Sequence, residues 1–515
     1  MSASIELDII NFMSDTDSLI KSLQDQIKEN EAQIIEKDSQ IALLIEIIKL
    51  QNLRNYASRS EKKLTPDGDI FNSDEQEEEA SSEPEETTTV EAHQRKKPKR
   101  KNLPAFLPRI DIIHDLPEDQ KICSCGCALT KIKEVISEQL DIIPQVVQVL
   151  CHKRIKYACR SCDQTIKTAP LPPQPIPKSM ASPGLLAHIA VSKYCDHLPL
   201  YRQAQIFKRN DIDLNRGTLS QWMIHCGILV QPIINLMMDR LLEYDIAYSD
   251  ETEIQVLKEA GRKATSKSYI WVFGGGKPEE FAWVFNYEPS RGSQVPIQFW
   301  DGFKGYIHVD AYGGYNKLEK IQQILRVNCM AHARRKFAEV AKLSKKKHGV
   351  SHEVIERIAK LYKIEKILKE KEASINEIKM TRQEKSKPIL DSLKTYLEEK
   401  QTGVLPKSQL GQAIAYTINH WVGLNRYLED GRLEIDNNRT ERVIKPFATG
   451  RKNWLFCDSV KGADASANIY SLIETCKYHD INPYDYLKYV FSEIRKCETV
   501  EDFEKLLPYR FHPKI

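Results

Sequence analysis

Residues 247–257, AYSDETEIQVL, and residues 305–316, GYIHVDAYGGYN, decide how this chain folds. Each carries an aspartate, Asp250 and Asp310, in or just after an apolar run of strand type. A third stretch, EIDNNRTERVIKP at 434–446, reads as a helix and carries Glu441. Three carboxylates in this order suit a phosphoryl-transfer centre, in which two metal ions activate the attacking oxygen and stabilise the leaving one. Mg²⁺ or Mn²⁺ fits such a set, because hard cations take carboxylates plus water and phosphate oxygens. Around these segments IAYSDETEIQVL, SYIWVFGG, FAWVFNYEP, GYIHVDAY and ILRVNCM alternate with turns and one helical piece near 292–300. Three strands, a helix and a further strand fit a ribonuclease-H-like mixed sheet. Its first and fourth strands are neighbours, so Asp250 and Asp310 are expected to meet. From 331 to about 430 the pattern is helical and charged, and 131 positions separate Asp310 from Glu441. A helical insertion over 344–405 accounts for that distance.

The alternatives for each carboxylate lie close by. Successive strand residues point to opposite faces, so one of Asp250 and Glu251 is expected to serve the site, and Glu253 shares the face of Glu251. Glu434 and Asp436 compete with Glu441, which shares a helix face with Asn438 at i, i+3. His332, Arg334 and Arg335 in AHARRKF are placed to contact DNA phosphate or to orient a metal carboxylate. Arg442, Lys445, Arg451 and Lys452 form a phosphate track. Trp454 beside them is suited to stack on a splayed base or to pack in the core.

Outside this region the chain of 515 residues, net charge +3, reads as several domains. In 1–62 Ile20, Ile27, Ile34, Ile41 and Ile48 recur every seventh residue. Leu23 and Leu44 fit the d positions and Asn30, Lys37 and Gln51 do not, which predicts a short, imperfect coiled coil and a homodimer. The linker 63–105 is acidic, then basic: 67–91 holds eleven Asp/Glu and no Lys/Arg, and 95–101 reads RKKPKRK. In 106–178, CSCGC and Cys159-Arg-Ser-Cys162 frame strand-like text and predict a zinc ribbon. Cys123, Cys125, Cys159 and Cys162 are the expected Zn²⁺ ligands, with Cys127 competing for the place of Cys125 and Cys151 expected to be a buried thiol. After a proline-rich connector, 179–243 holds three helical patterns, near 183–193, 199–209 and 216–243. NRGTLSQW at 215–222 suits the start of a recognition-type helix, with Asn215 or Thr218 as cap, Leu219 and Trp222 inward, and Arg202 and Arg216 toward DNA. The expected layout continues with core 244–343, insertion 344–405, the Glu-bearing part of the core at 406–460, and a helical region at 461–515. No signal peptide and no run of about 18 apolar residues is found, so no membrane span is expected.

In order along the chain, SRSEKKL, SEQLDIIP, KYACRSC, GLLAHIAVSKYCDHLPLYRQ, SDET, VDAYGGYN, CMAHARRKF, GRLEIDNNRTERVIKP, GRKNWLF and SANIYSLIETCK resemble the transposases of the insertion-sequence 66 group. The resemblance spans nearly the whole chain. It implies a multidomain α/β protein of the DDE type, with a ribonuclease-H-like core whose triad maps to Asp250, Asp310 and Glu441. It also implies terminal inverted repeats and target DNA as partners, accessory proteins of the element, and a cytoplasmic, nucleoid-associated setting in a prokaryote. A non-catalytic zinc-ribbon regulator with a degenerate catalytic fold is the rival reading. The presence of all three carboxylates counts against it.

Overall fold

The computed structural model describes residues 146–158, 166–321, 324–343 and 348–512, with 109–113, Ser137, Gln139 and separate positions between 24 and 48. Two compact units result, Glu79–Leu171 and a second made of Met1–Glu78 with Pro172–Ile515. In the smaller unit β1 (Lys156–Ala158) pairs antiparallel with β2 (Ile166–Thr168). Arg154 Nε donates to the Ala169 carbonyl at 2.7 Å and extends the pair. Cys151 is exposed, against the buried thiol expected, because among the described residues no apolar layer covers it.

The larger unit has an N-terminal helix at the described positions between 24 and 48 and, from Pro172 on, four helices first: α1 (Pro183–Tyr194), α2 (Leu200–Arg209), α3 (Arg216–Leu229) and α4 (Gln231–Leu241). Ser182 caps α1 by accepting the Leu185 N–H, and Pro183 enters its first turn, where a missing N–H costs nothing. Asn215 caps α3 by accepting the Thr218 N–H at 2.9 Å, and Leu219 and Trp222 are buried. The pattern expected as one helix over 216–243 is two, broken at Val230 with Pro232 starting the second.

Five strands of a six-stranded mixed sheet follow, with one helix among them: β3 (Ile246–Lys258), β4 (Lys267–Gly275), β5 (Ala282–Glu288), helix α5 (Gln294–Phe299), β6 (Gly305–Val309) and β7 (Ile324–Asn328). Its order is β5-β4-β3-β6-β7. The first three strands are antiparallel, and β6 and β7 run parallel to β3. Trp271, Phe273, Trp283, Phe285 and Trp300 fill its faces, each at most 1% exposed. Then come α6 (Met330–Leu343), α7 (Val350–Glu370), α8 (Ile375–Thr381), α9 (Lys387–Gln401), α10 (Gln409–Asn419) and α11 (Asn438–Trp454). Strand β8 (Cys457–Ser459) adds parallel to the far end of β3, and α12 (Val460–Tyr478) and α13 (Pro483–Glu493) close the chain.

Helix α12 is buried on nearly all sides because it covers an open sheet edge. The Phe285 and Trp283 N–H groups of β5 donate to Ser471 Oγ (2.8 Å) and Thr475 Oγ1 (3.0 Å). The helix thus satisfies donors that an edge strand would otherwise offer to a foreign chain. On its other side α3 approaches at Gly227, where an added Cβ would lie 2.4 Å from Ala465. Among the described residues no helix is long and apolar enough to cross a membrane.

Candidate active site

Strand register brings the two aspartates together. Tyr248 pairs with His308 across β3 and β6, and their rings stack at 4.8 Å. Asp250 follows Tyr248 by two residues on β3, and Asp310 follows His308 by two residues just past the end of β6, so the two carboxylates come close enough for the charge of one to act on the other. Asp250 Oδ1 accepts the Glu251 N–H at 2.8 Å, and Asp310 Oδ1 accepts the Tyr312 N–H at 2.9 Å. Burial, then the charges of Glu251, Asp310 and Glu441, push the Asp250 carboxyl well above the ordinary carboxylate range. A buried carboxyl whose ionisation is resisted in this way favours positive charge beside it.

Glu441 arrives on the first turn of α11, which packs on β3. What aims that helix is Asn437, 1% exposed. Its Nδ2 donates to the Ser249 carbonyl (3.3 Å) beside Asp250, its N–H donates to Cys329 Sγ (3.2 Å), and its Oδ1 accepts from Thr440 Oγ1 (2.7 Å). The Met330 N–H donates to the Ile435 carbonyl at 3.1 Å, so the segment before α11 is tied to the end of β7. Glu441 Oε1 is buried and, among the described residues, has no hydrogen-bond partner. His332 Nδ1 and Arg335 each stand 3.6 Å from its carboxylate, beyond hydrogen-bond range. Burial lowers the His332 pKa, against the opposing pull of Glu441. Ligand atoms of Cys329, His332 and Glu441 lie within 4.8 Å of one another. Burial pushes the Cys329 thiol up, and its Sγ already takes the Asn437 N–H, which marks it as part of the clasp.

Of Asp250 and Glu251, one was expected to serve the site, and Glu251 is taken up elsewhere. Its side chain is 1% exposed and carries a network of its own. Arg291 Nε and the Tyr315 hydroxyl each donate to it at 2.7 Å. The Arg291 guanidinium lies 3.9 Å from the centre of the Tyr312 ring, and the Tyr312 hydroxyl donates to the Arg291 carbonyl. Glu251 thus anchors the turn that follows Asp310. Burial and the Asp310 charge raise its pKa. This network was not read from the sequence, although three of its members are the acid and tyrosines of SDET and DAYGGY.

The competing acids are engaged elsewhere. Glu253 pairs with Lys267 at 2.8 Å on the surface. Glu434 faces Arg439 at 3.6 Å, and Asp436 accepts from the Tyr362 hydroxyl of α7 at 2.8 Å. Of the basic residues expected to meet DNA, Arg202, Arg216, Arg335, Arg442, Lys445 and Lys452 are exposed, and Arg451 is half-buried. Arg451 reaches Thr252 Oγ1 at 3.5 Å, two residues along β3 from Asp250. Arg334 departs from the expectation: it is 5% exposed on the inner side of α6 and offers no surface to a phosphate. Trp454 packs edge-on against Phe447 at 5.5 Å. The residues after it, Leu455 and Phe456, are the exposed ones. Cys123, Cys125, Cys127, Cys159 and Cys162 lie outside the described residues. The chain between β1 and β2 carries Cys159 and Cys162. In the N-terminal helix Ile27, Ile34, Ile41 and Ile48 are 53–58% exposed.

Comparison with known proteins covers most of the chain. Residues 178–465 match the model of the transposase IS66 family, and 471–509 match the IS66 C-terminal element. Residues 120–163, with all five clustered cysteines, match the zinc-finger binding domain of transposase IS66. Residues 43–112 match a model described as transposase C of IS166 homeodomain. Three uncharacterized proteins of Sinorhizobium fredii are similar over most of their length. The protein y4jD is 35% identical over 79% of this chain and 81% of its own. The protein y4qI is 31% identical over 92% and 90%, and y4hP 31% over 82% and 78%.

Proposed function

Because this chain belongs to the transposase IS66 family, we propose that it cuts and joins DNA at the ends of its mobile element, using Asp250, Asp310 and Glu441 on a ribonuclease-H-like core. One observation supports the reading: β3 and β6 pair in parallel up to Tyr248 and His308, Asp250 and Asp310 each follow two residues later, and Glu441 stands on the helix packed against β3. Strand order β5-β4-β3-β6-β7, antiparallel in the first three strands and parallel in the last two, supports the fold assignment.

The donor set fits divalent cations. Burial and the neighbouring acids raise the affinity of Asp250 for a proton, and Glu441 Oε1 is buried with no hydrogen bond among the described residues. Asp250, Asp310 and Glu441 would hold Mg²⁺ or Mn²⁺, which when bound supplies an activated water and charge stabilisation at a scissile phosphate. The rest falls to the protein. Asn437 fixes the distance between β3 and the first turn of α11. Glu251, Arg291 and Tyr315 hold the turn after Asp310. Arg335, Arg442, Lys445 and Lys452 present positive charge on the exposed side, where a duplex backbone would lie. Cys123, Cys159, Cys162 and either Cys125 or Cys127 would hold a structural Zn²⁺. The helical unit with Arg202 and Arg216 would contact the element's terminal repeats. The exposed isoleucine stripe would pair two chains so that two ends are held together.

A mini-element bounded by the DNA flanking this gene tests the reading. Movement with the wild-type protein, and none with Asp250→Ala, Asp310→Ala or Glu441→Ala variants that still bind the ends, supports it. Undiminished movement in any one variant removes that residue from the proposed triad.

A further inference from the structure

We infer that Leu455 and Phe456 form an apolar wedge that enters the base stack of a DNA end lying along α11, an inference that rests on the DNA-processing function proposed above. The two side chains are 63% and 43% exposed, side by side, directly after the helix that carries Glu441. Leu455 has φ +66° and ψ −51°, a conformation that side chains other than glycine's rarely adopt. The Phe456 N–H closes this turn on the Trp454 carbonyl at 2.9 Å. Both flanks are fixed. Leu455 N–H donates to the Arg451 carbonyl at 2.7 Å, and β8 pairs with β3 from Val256 to Lys258. Trp454 packs inward on Phe447 and anchors the turn from below. Strain that the surroundings hold in place, spent on presenting two apolar side chains to water, points to a ligand for them.

The position of the pair identifies that ligand. Glu441, Lys445, Ala448, Lys452 and Leu455 follow one another at spacings of 4, 3, 4 and 3, so they form one stripe along α11, none of it buried. From Glu441 to Leu455 the stripe runs up to about 21 Å, the length of roughly six base pairs of duplex. Glu441 is the single acid of α11; Arg442, Lys445 and Lys452 are exposed on it and Arg451 is half-buried, while Arg439 is packed against Tyr248, Phe281 and Tyr478. An apolar tip on a cationic stripe suits a polyanion with stacked bases inside it: the cations take phosphates and the tip takes the place of a base step. A second copy of this chain docked symmetrically would set Arg451 and Lys452 against their own copies, which disfavours self-association there.

The experiment uses duplexes of the DNA flanking the gene, with 2-aminopurine at successive positions around the element end, bound by the full chain at saturation. Wild type should raise the fluorescence several-fold at one or two adjacent positions, the sign of an unstacked base. Leu455→Gly/Phe456→Ala should bind within about ten-fold of wild type and leave the fluorescence at the level of free duplex. Leu455→Gly relieves the backbone strain, so this variant should also keep its thermal midpoint, which separates loss of the wedge from loss of the fold. An undiminished rise with the bound variant overturns the wedge. Loss of oligomerisation with the rise intact overturns it in favour of a protein contact. Failure of the wild type to bind any duplex removes the DNA-processing function and the wedge with it, whereas binding by the wild type without a rise removes the wedge alone.

Discussion

Asn437 shows how far a single side chain reaches in this fold. It joins the carbonyl next to Asp250, the thiol at the end of β7 and the cap of the helix bearing Glu441. Two readings of the residues follow from burial. Burial and the neighbouring acids raise the folded-state pKa of Asp250, so its ionisation takes stability away as pH rises above the ordinary carboxylate range. Asp250→Asn is therefore expected to raise the thermal midpoint in chelator by about 1–2 °C, the effect of roughly 1 kcal/mol in a fold of this size. A lower midpoint would show that the carboxylate is already compensated. His308, stacked under the site, has its pKa lowered to about 3, first by burial and then by Arg439 and Arg382. The unfolded chain takes the proton near 6.5 and the folded one only near 3, so stability is lost as pH falls between them. At about pH 4.5 this amounts to some 2–3 kcal/mol. Urea melts of wild type and His308→Gln between neutral pH and that value should diverge by this much, and parallel curves would contradict it. The site acids were legible because an aspartate in an apolar strand run is conspicuous. Asn437, Arg291 and Cys329 were not, because they work across β3, β7 and α11, and local sequence carries no record of which strands meet.

Periodicity foretold the elements better than their ends. The strands from Ile246 to Asn328 and the helix cap at Asn215 stand where alternation and capping chemistry put them. The break of 216–243 at Val230 turned on Pro232, and the helix of Glu441 begins at Asn438, after a stretch tied to β7. Arg334 reads as surface charge in AHARRKF, yet the inner face of α6 claims it. Packing between elements is tight where α3 crosses α12. Gly227→Ala would drive a Cβ to 2.4 Å from Ala465, too close to be absorbed without moving a helix. A loss of about 1–3 kcal/mol in denaturant melts is expected, and a neutral result would show that α3 slides freely on α12.

For the chain as a unit, the isoleucine stripe of the N-terminal helix makes a separable prediction. Its described members are all more than half exposed, so one chain alone leaves the stripe in water. Deleting the first fifty residues or so should convert a dimer to a monomer in light scattering while the unit from Pro172 onward keeps its melt. A dimer that survives the deletion would place the contact elsewhere. What bears most directly on function is cleavage itself. Purified wild type and the Asp250→Asn, Asp310→Asn and Glu441→Gln variants would be given a duplex spanning the element end, with Mg²⁺, Mn²⁺ or chelator. The arrangement of the three carboxylates predicts a new 3′-hydroxyl at the element boundary with wild type and metal only, and at least a hundred-fold less with each variant at matched DNA binding. Equal cleavage by any of the three variants, or cleavage by wild type in chelator, would contradict it.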